Sequence, residues 1–163
     1  MAKSFDAFMR NGYNRCQIDR RFFEMELQKI REFRNTRSSY CVKNGIYLEE
    51  LNIGYAKVTK TVTEDDLNPL LYAHGGVYFA VADTACGSAV ISHGRMVVTI
   101  SGSYNYFRSA KAGDTLICEA HEVKHGKTVC VSECTIKDQD GTLLGNGSFT
   151  FYQLDQEVPD IKA

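Results

Sequence analysis

The chain has 163 residues, 44% hydrophobic and 24% charged, with a formal net charge of −1. That is one domain's worth of core in ordinary globular proportions, which excludes a disordered or fibrous chain. No global field attracts nucleic acid or an anionic membrane, and no apolar run could span a bilayer. The most apolar stretch, Leu67–Ala82, is broken by Asn68, Pro69, His74, Gly75 and Gly76. Met1–Asp6 and the residues after it lack the apolar segment of a secretory leader. The expectation is a soluble, cytoplasmic protein without nucleic-acid or membrane partners.

Residues 1–37 carry nine Lys/Arg against five Asp/Glu, an excess of +4 that leaves −5 for the rest. A solvated helix face is the ordinary reading of such an excess. Within it, Ile18–Phe33 places Ile18, Phe22, Met25 and Phe23, Leu27, Ile30 at helical spacing, which predicts an amphipathic helix ahead of the main domain. A short second helix over about Thr36–Lys43 should stop at Asn44-Gly45, a left-handed terminating pair. Ile46–Leu51 and Tyr55–Val62 read as strands. A turn over Glu64–Pro69 then leads into an apolar helix, about Gly76–Ser92. Beyond it, Met96–Phe107, Thr115–Val123, Thr128–Lys137 and Thr142–Leu154 are rich in β-branched and aromatic residues. Ala112-Gly113-Asp114, His125-Gly126 and Asp140-Gly141 punctuate them as turns.

Strands joined by such short turns should pair antiparallel. The helix carries Val77, Ala80, Val81, Ala82, Ala85, Cys86, Ala89 and Val90 around most of its circumference, and a helix apolar nearly all round is buried. The predicted fold is α+β, a curved antiparallel sheet wrapped around one long central helix: a hotdog architecture with an extra N-terminal helix. The chain divides into an N-terminal helical extension (1–35), a main domain (36–154) and a C-terminal tail (155–163).

Six cysteines carry no disulfide pattern. The closest pair, Cys130 and Cys134, would lie about 13 Å apart along a strand, too far to bridge, so buried reduced thiols are expected. No Cys/His cluster at metal-ligand spacing stands out, and no metal site is predicted. His93, His121 and His125 read as surface histidines. Tyr104, Tyr106 and Phe107 read as core or interface rather than an aryl-binding surface.

Two features could carry chemistry. Asp83 lies on the buried helix between Ala82 and Thr84, where a carboxylate is costly unless paired, hydrogen-bonded or functional. It is either a structural acid bonded to backbone or to a partner subunit, or a general base or nucleophile. His74-Gly75-Gly76 opens the same helix, where two glycines permit close approach and first-turn N–H groups suit a developing oxyanion. Gly75 and Asp83 are separated by about 12 Å along the helix. One copy cannot bring both to a single carbonyl, but two antiparallel copies related by a two-fold axis can.

The run Asn68-Pro69-Leu70-Leu71-Tyr72-Ala73-His74-Gly75-Gly76, followed by Ala82-Asp83-Thr84-Ala85, resembles the signature of PaaI-type hotdog thioesterases. Val98–Asp114, ending in Gly113-Asp114, resembles that family's next strand and turn. The resemblance spans about Thr36–Leu154. It implies a dimer, often paired again into a homotetramer, that hydrolyses acyl-CoA thioesters without metal or organic cofactor. By resemblance, the Gly75 N–H and the Asn68 side chain polarise the thioester carbonyl. Asp83 of the other subunit acts as nucleophile or general base, Thr99 helps to place the water, and His74 shapes the turn through a hydrogen bond. Gly76, Leu71 and Tyr72 would line the substrate site. Leu71 stands where the family usually has glycine and Ser109 where it has proline, which bears on substrate choice. A non-catalytic acyl-CoA sensor on the same fold is the competing expectation; an enoyl-thioester hydratase would need a different His/Glu arrangement.

Overall fold

The computed structural model describes residues 16–159. Residues 1–15 of the predicted extension and 160–163 of the predicted tail lie outside the described residues, as do the side chains of Ile18, Phe22 and Phe23. Helix α1 (Cys16–Arg37) leads into the one-turn α2 (Ser39–Lys43). Strands β1 (Tyr47–Asn52) and β2 (Tyr55–Thr61) follow, then the long helix α3 (Gly75–Ile91). The chain ends with β3 (Arg95–Tyr106), β4 (Thr115–His125), β5 (Val129–Lys137) and β6 (Leu143–Glu157). The six strands form one antiparallel sheet in the order β1-β2-β4-β5-β6-β3, wrapped around α3. This is the hotdog architecture with an added N-terminal helix.

Period-2 alternation sets the inner face of the sheet. Ala56 and Val58 on β2, Leu116, Cys118 and Ala120 on β4, and Phe149 and Phe151 on β6 are all buried. Many of these are small, and so are the helix residues that meet them: Ala82, Ala85, Cys86 and Ala89 are fully buried. The surfaces approach closely. A Cβ at Gly87 would sit 3.3 Å from the Phe151 ring, and one at Gly102 only 2.5 Å from the Phe149 ring. Truncating Phe149 would cost about 3–5 kcal/mol, because this interior has no spare volume to collapse into.

The predicted stop at Asn44-Gly45 is a Schellman ending. Ile46 N–H reaches Cys41 O, Gly45 N–H reaches Val42 O, and Gly45 has φ +64°. The first helix runs to Arg37, past the predicted Phe33, and its predicted apolar face is docked. Ile30 is buried, Arg31 donates to Glu49 O, and Asn35 brackets Leu48, donating to its O and accepting from its N–H. Strand β6 likewise runs three residues past the expected Leu154, and Val158 N–H still reaches Gly94 O.

Cys41, Cys86, Cys118, Cys130 and Cys134 are buried free thiols. Burial pushes the Cys118 thiol well up, so it stays neutral. No helix among the described residues is long and apolar enough to cross a membrane.

Lys60 occupies an inward position on β2. Its ammonium group meets Asp66 Oδ2 at 2.8 Å, with the two side chains 4% and 10% exposed, and also donates to Asn44 O at 2.6 Å. Asp66 accepts from the Thr63 N–H and hydroxyl, while its own carbonyl accepts from His74 N–H. This pair ties the segment that precedes α3 to the sheet. Desolvation alone would raise the Asp66 pKa, but Lys60 and the two Thr63 bonds outweigh it and hold the carboxyl below its ordinary range. Asp66→Asn should destabilise the protein by about 3–5 kcal/mol near neutral pH in urea unfolding. The folded carboxyl has the lower pKa, so its contribution is complete above the unfolded value of about 3.9 and is lost as pH falls below it. The gap between wild type and variant should therefore close in acid.

Candidate functional site

The site residues sit on three neighbouring elements: the loop before α3, the body of α3, and the edge strand β3. In the loop, Asn68 N–H bonds Tyr72 O and Leu71 N–H bonds Asn68 O, closing a tight turn. Asn68 Oδ1 accepts from the N–H groups of Leu70 (2.9 Å) and Tyr72 (3.2 Å). The side-chain carbonyl is thus spent on the turn, while the Asn68 NH₂ has no partner among the described residues. Leu71, at the usual glycine position, has φ +62°, the only non-glycine residue with positive φ among those described. Leu70 and Leu71 are 75% and 70% exposed, with Tyr72 beside them over the Lys111 ammonium group.

His74 caps α3, its Nδ1 accepting the Gly76 N–H at 3.0 Å. That bond engages the Gly76 N–H within the turn. Gly75 N–H, one residue earlier, has no acceptor among the described residues and points out with the positive end of the helix. Tyr106 on β3 donates to Gly75 O at 3.0 Å, and its ring lies 3.4 Å from where a Cβ of Gly75 would be. Tyr106 belongs to a cluster with Tyr78 and Tyr104, whose centroids lie 4.7–6.2 Å apart, so the tyrosines serve packing while Phe107 stays exposed.

Asp83 lies half-buried two turns along α3, where the helix faces β3. Thr99 Oγ1 donates to Asp83 Oδ1 at 2.7 Å. Behind α3, Arg34 from α1 donates to Ser88 Oγ (3.3 Å) and Thr84 O (3.5 Å). Burial lowers the pKa of this guanidinium group, opposed by the charges of Cys41 and Asp83. Sequence reasoning missed Arg34 because nothing in the 1–37 basic excess distinguishes an inward arginine from a solvated one.

The fold brings together Asp83 with Thr99, whereas Asn68, His74 and Gly75 follow one another in the loop and first turn of α3, a separate group. A groove of about 420 Å³ on the outer face of the sheet, lined by Ser103, Asn105, Glu119, His121 and Glu133 among others, contains neither group. Sequence spacing also hid a ligand set: His93, Glu122 and His125 place their ligand atoms within 4.8 Å of one another, which corrects the expectation of no such cluster.

A family model, the thioesterase superfamily, matches residues 72–144. Fold and family together define a hotdog-fold thioester hydrolase. A putative esterase of Archaeoglobus fulgidus is 33% identical over 110 residues, covering 68% of this chain and 71% of the relative. The acyl-coenzyme A thioesterase PaaI of Escherichia coli is 37% identical over 100 residues, 61% of this chain and 71% of that one. Its crystal structure superposes with a TM-score of 0.79 at 26% identity, covering 83% and 98% of the two chains. A hypothetical thioesterase protein of Streptococcus pneumoniae, solved with coenzyme A, gives a TM-score of 0.66 at 33% identity, covering 69% and 88%. That protein has also been solved with an aspartate replaced by alanine and with a threonine sixteen positions later replaced by alanine. The chain belongs to the PaaI-type family of the thioesterase superfamily.

The left-handed leucine is a source of strain. Replacing Leu71 with glycine removes a cost of about 1–2 kcal/mol for a side chain at positive φ and adds about 0.5–1 kcal/mol of backbone entropy. Leu71→Gly should leave the protein as stable as wild type or up to about 1 kcal/mol more stable, read from urea midpoints.

Proposed function

We propose that this chain hydrolyses acyl-CoA thioesters to free acid and CoA, at sites shared between two copies related by a two-fold axis. The observation that carries the reading is the Thr99–Asp83 hydrogen bond, exposed beside the unpaired edge of β3. The same pair of residue types, at the same separation of sixteen, was replaced in the pneumococcal thioesterase solved with coenzyme A. The E. coli relative, an acyl-coenzyme A thioesterase by name, supports the substrate class. A second copy supplies what one protomer lacks. Gly75 lies about 12 Å from Asp83 along the helix, and strand β3 offers 12 residues of edge with Val98 and Ile100 exposed, a template for pairing with itself.

In the proposed mechanism the thioester carbonyl oxygen lies against Gly75 N–H and the Asn68 NH₂ of one subunit. These donors strengthen their bonds as negative charge develops on that oxygen. The partner's Thr99 occupies Oδ1 of the partner's Asp83, which leaves Oδ2 to take a proton from water. The water oxygen bonds to the carbonyl carbon, the C–S bond breaks, and the proton held by Asp83 goes to the departing sulfur. A thiol with a pKa near 8.5 is a good leaving group, so no metal is needed to expel it. His74 holds the turn rather than moving protons, since its Nδ1 is committed to Gly76. Leu71 and Tyr72 are placed to border the acyl group.

Thiol release should be measured over a panel of acyl-CoAs. Asp83→Asn should lower turnover by roughly 100-fold or more with fold and assembly intact, and Asn68→Ala by a comparable factor. Wild-type-like turnover by Asp83→Asn would remove Asp83 from the mechanism. Tight acyl-CoA binding without turnover by the wild-type protein would favour the sensor. Sharing between subunits has its own readout, which is to mix the two inactive variants after unfolding and refolding. In a mixed dimer one site regains both groups, so activity should return to roughly one quarter of wild type. No recovery would mean that each site lies within one chain.

A further inference from the structure

At the opposite end of α3 from Gly75, three side chains from distant parts of the chain converge. His93 follows the end of the helix; Glu122 and His125 flank a register shift in β4. His93 Nε2 lies 3.2 Å from Glu122 Oε1, and His125 Nδ1 lies 2.7 Å from Glu122 Oε2. The two imidazole rings stand face to face, with centroids 3.9 Å apart and planes tilted by 32°. Glu122 is the buried member, its side chain 11% exposed against 28% and 30% for the histidines. We propose that His93, Glu122 and His125 bind one divalent transition-metal ion of the zinc class.

Four features support the assignment. The donor set is two imidazole nitrogens and a carboxylate, the ligand chemistry that zinc, cobalt and nickel share. Bonds of about 2.0–2.1 Å to a tetrahedral ion place neighbouring ligand atoms roughly 3.3 Å apart, and one ligand atom from each of the three residues already lies within 4.8 Å of the others. A fourth position is left for water. The backbone around the ligands is fixed before any ion arrives: Glu122 N–H bonds Gly54 O at 2.7 Å, Gly54 N–H bonds Ser92 Oγ at 2.9 Å, and Ser92 Oγ donates to Ala89 O at 2.6 Å. Finally, the carbonyl end of α3 carries the negative pole of the helix, which favours a cation there.

The ion would clamp the α3–β3 turn to the β4–β5 hairpin. About ten residues of helix, roughly 15 Å, separate His93 from Asp83, so its effect should fall on stability rather than on turnover.

Purified full-length protein, stripped with a chelator, should be titrated with Zn²⁺ by calorimetry and thermal unfolding, and with Co²⁺ by visible absorption. Wild type should bind one Zn²⁺ per chain and gain roughly 5 °C or more in Tm at a hundredfold excess over Kd. Cobalt should give tetrahedral d–d bands. The double variant His93→Asn/His125→Asn should lose both responses while keeping the metal-free Tm, and His121→Asn should keep them. Absence of Zn²⁺, Co²⁺ and Ni²⁺ binding by wild type, or equal binding by the double variant, would overturn the site. Should the double variant fail to fold, the wild-type cobalt spectrum decides. A thiolate-to-cobalt charge-transfer band would place the ion on cysteines and refute the assignment; its absence beside d–d bands supports it.

Discussion

Everything in this molecule follows from sheathing one helix on nearly every side. From Val81 to Ile91 every residue of α3 except Asp83 is buried, and the sheet can close over it only because most of those side chains are small. A helix so enclosed can present polar groups in few places: at its two ends, where backbone N–H or carbonyl groups run out of partners, and at a gap in the sheath. Asp83 marks the gap. It lies where β3, the last strand of the sheet, has a neighbour on one side only, and there it meets Thr99.

The positive end of the helix is positioned by a different device. The loop from Thr63 to His74 contains no regular strand, yet it is held at both ends. Asp66 is drawn into the sheet by Lys60, and His74 N–H is bonded to the carbonyl of that same aspartate. Between these anchors Asn68 folds the chain back with its own side-chain oxygen and keeps its NH₂ outward. A buried ion pair is a poor source of net stability compared with a hydrophobic substitute. Its value here is geometric: it fixes where the loop leaves the sheet and so where α3 begins. The left-handed Leu71 fits the same picture, since a strained residue persists only where its surroundings over-determine the backbone.

Much of this was legible in the sequence because local signals and tertiary structure agree. Runs of β-branched and aromatic residues between glycine turns marked the strands, Gly45 ended α2 where a left-handed residue was required, and the run of alanines along α3 announced a buried helix. What could not be read has a common physical cause. Arg34 and Lys60 are charged residues on amphipathic elements, and their pattern is the same whether they face water or a buried carbonyl or carboxylate. The His93, Glu122 and His125 group is assembled from residues 3 to 32 positions apart by a turn and a bulge, and bulges have no periodicity to detect.

The N-terminal helix adds a further constraint on the site. Arg34 reaches Thr84 and Ser88 on the side of α3 away from the sheet, so α3 is gripped from behind at the turn that follows Asp83. Few side chains could do this. Arginine can because its fork donates in several directions while its stem stays apolar, and because the first carbonyl it meets, that of Thr84, also accepts the Ser88 hydroxyl. The extension is thus tied to the central helix one residue beyond Asp83, although it lies outside the sheet and outside the residues matched by the family model.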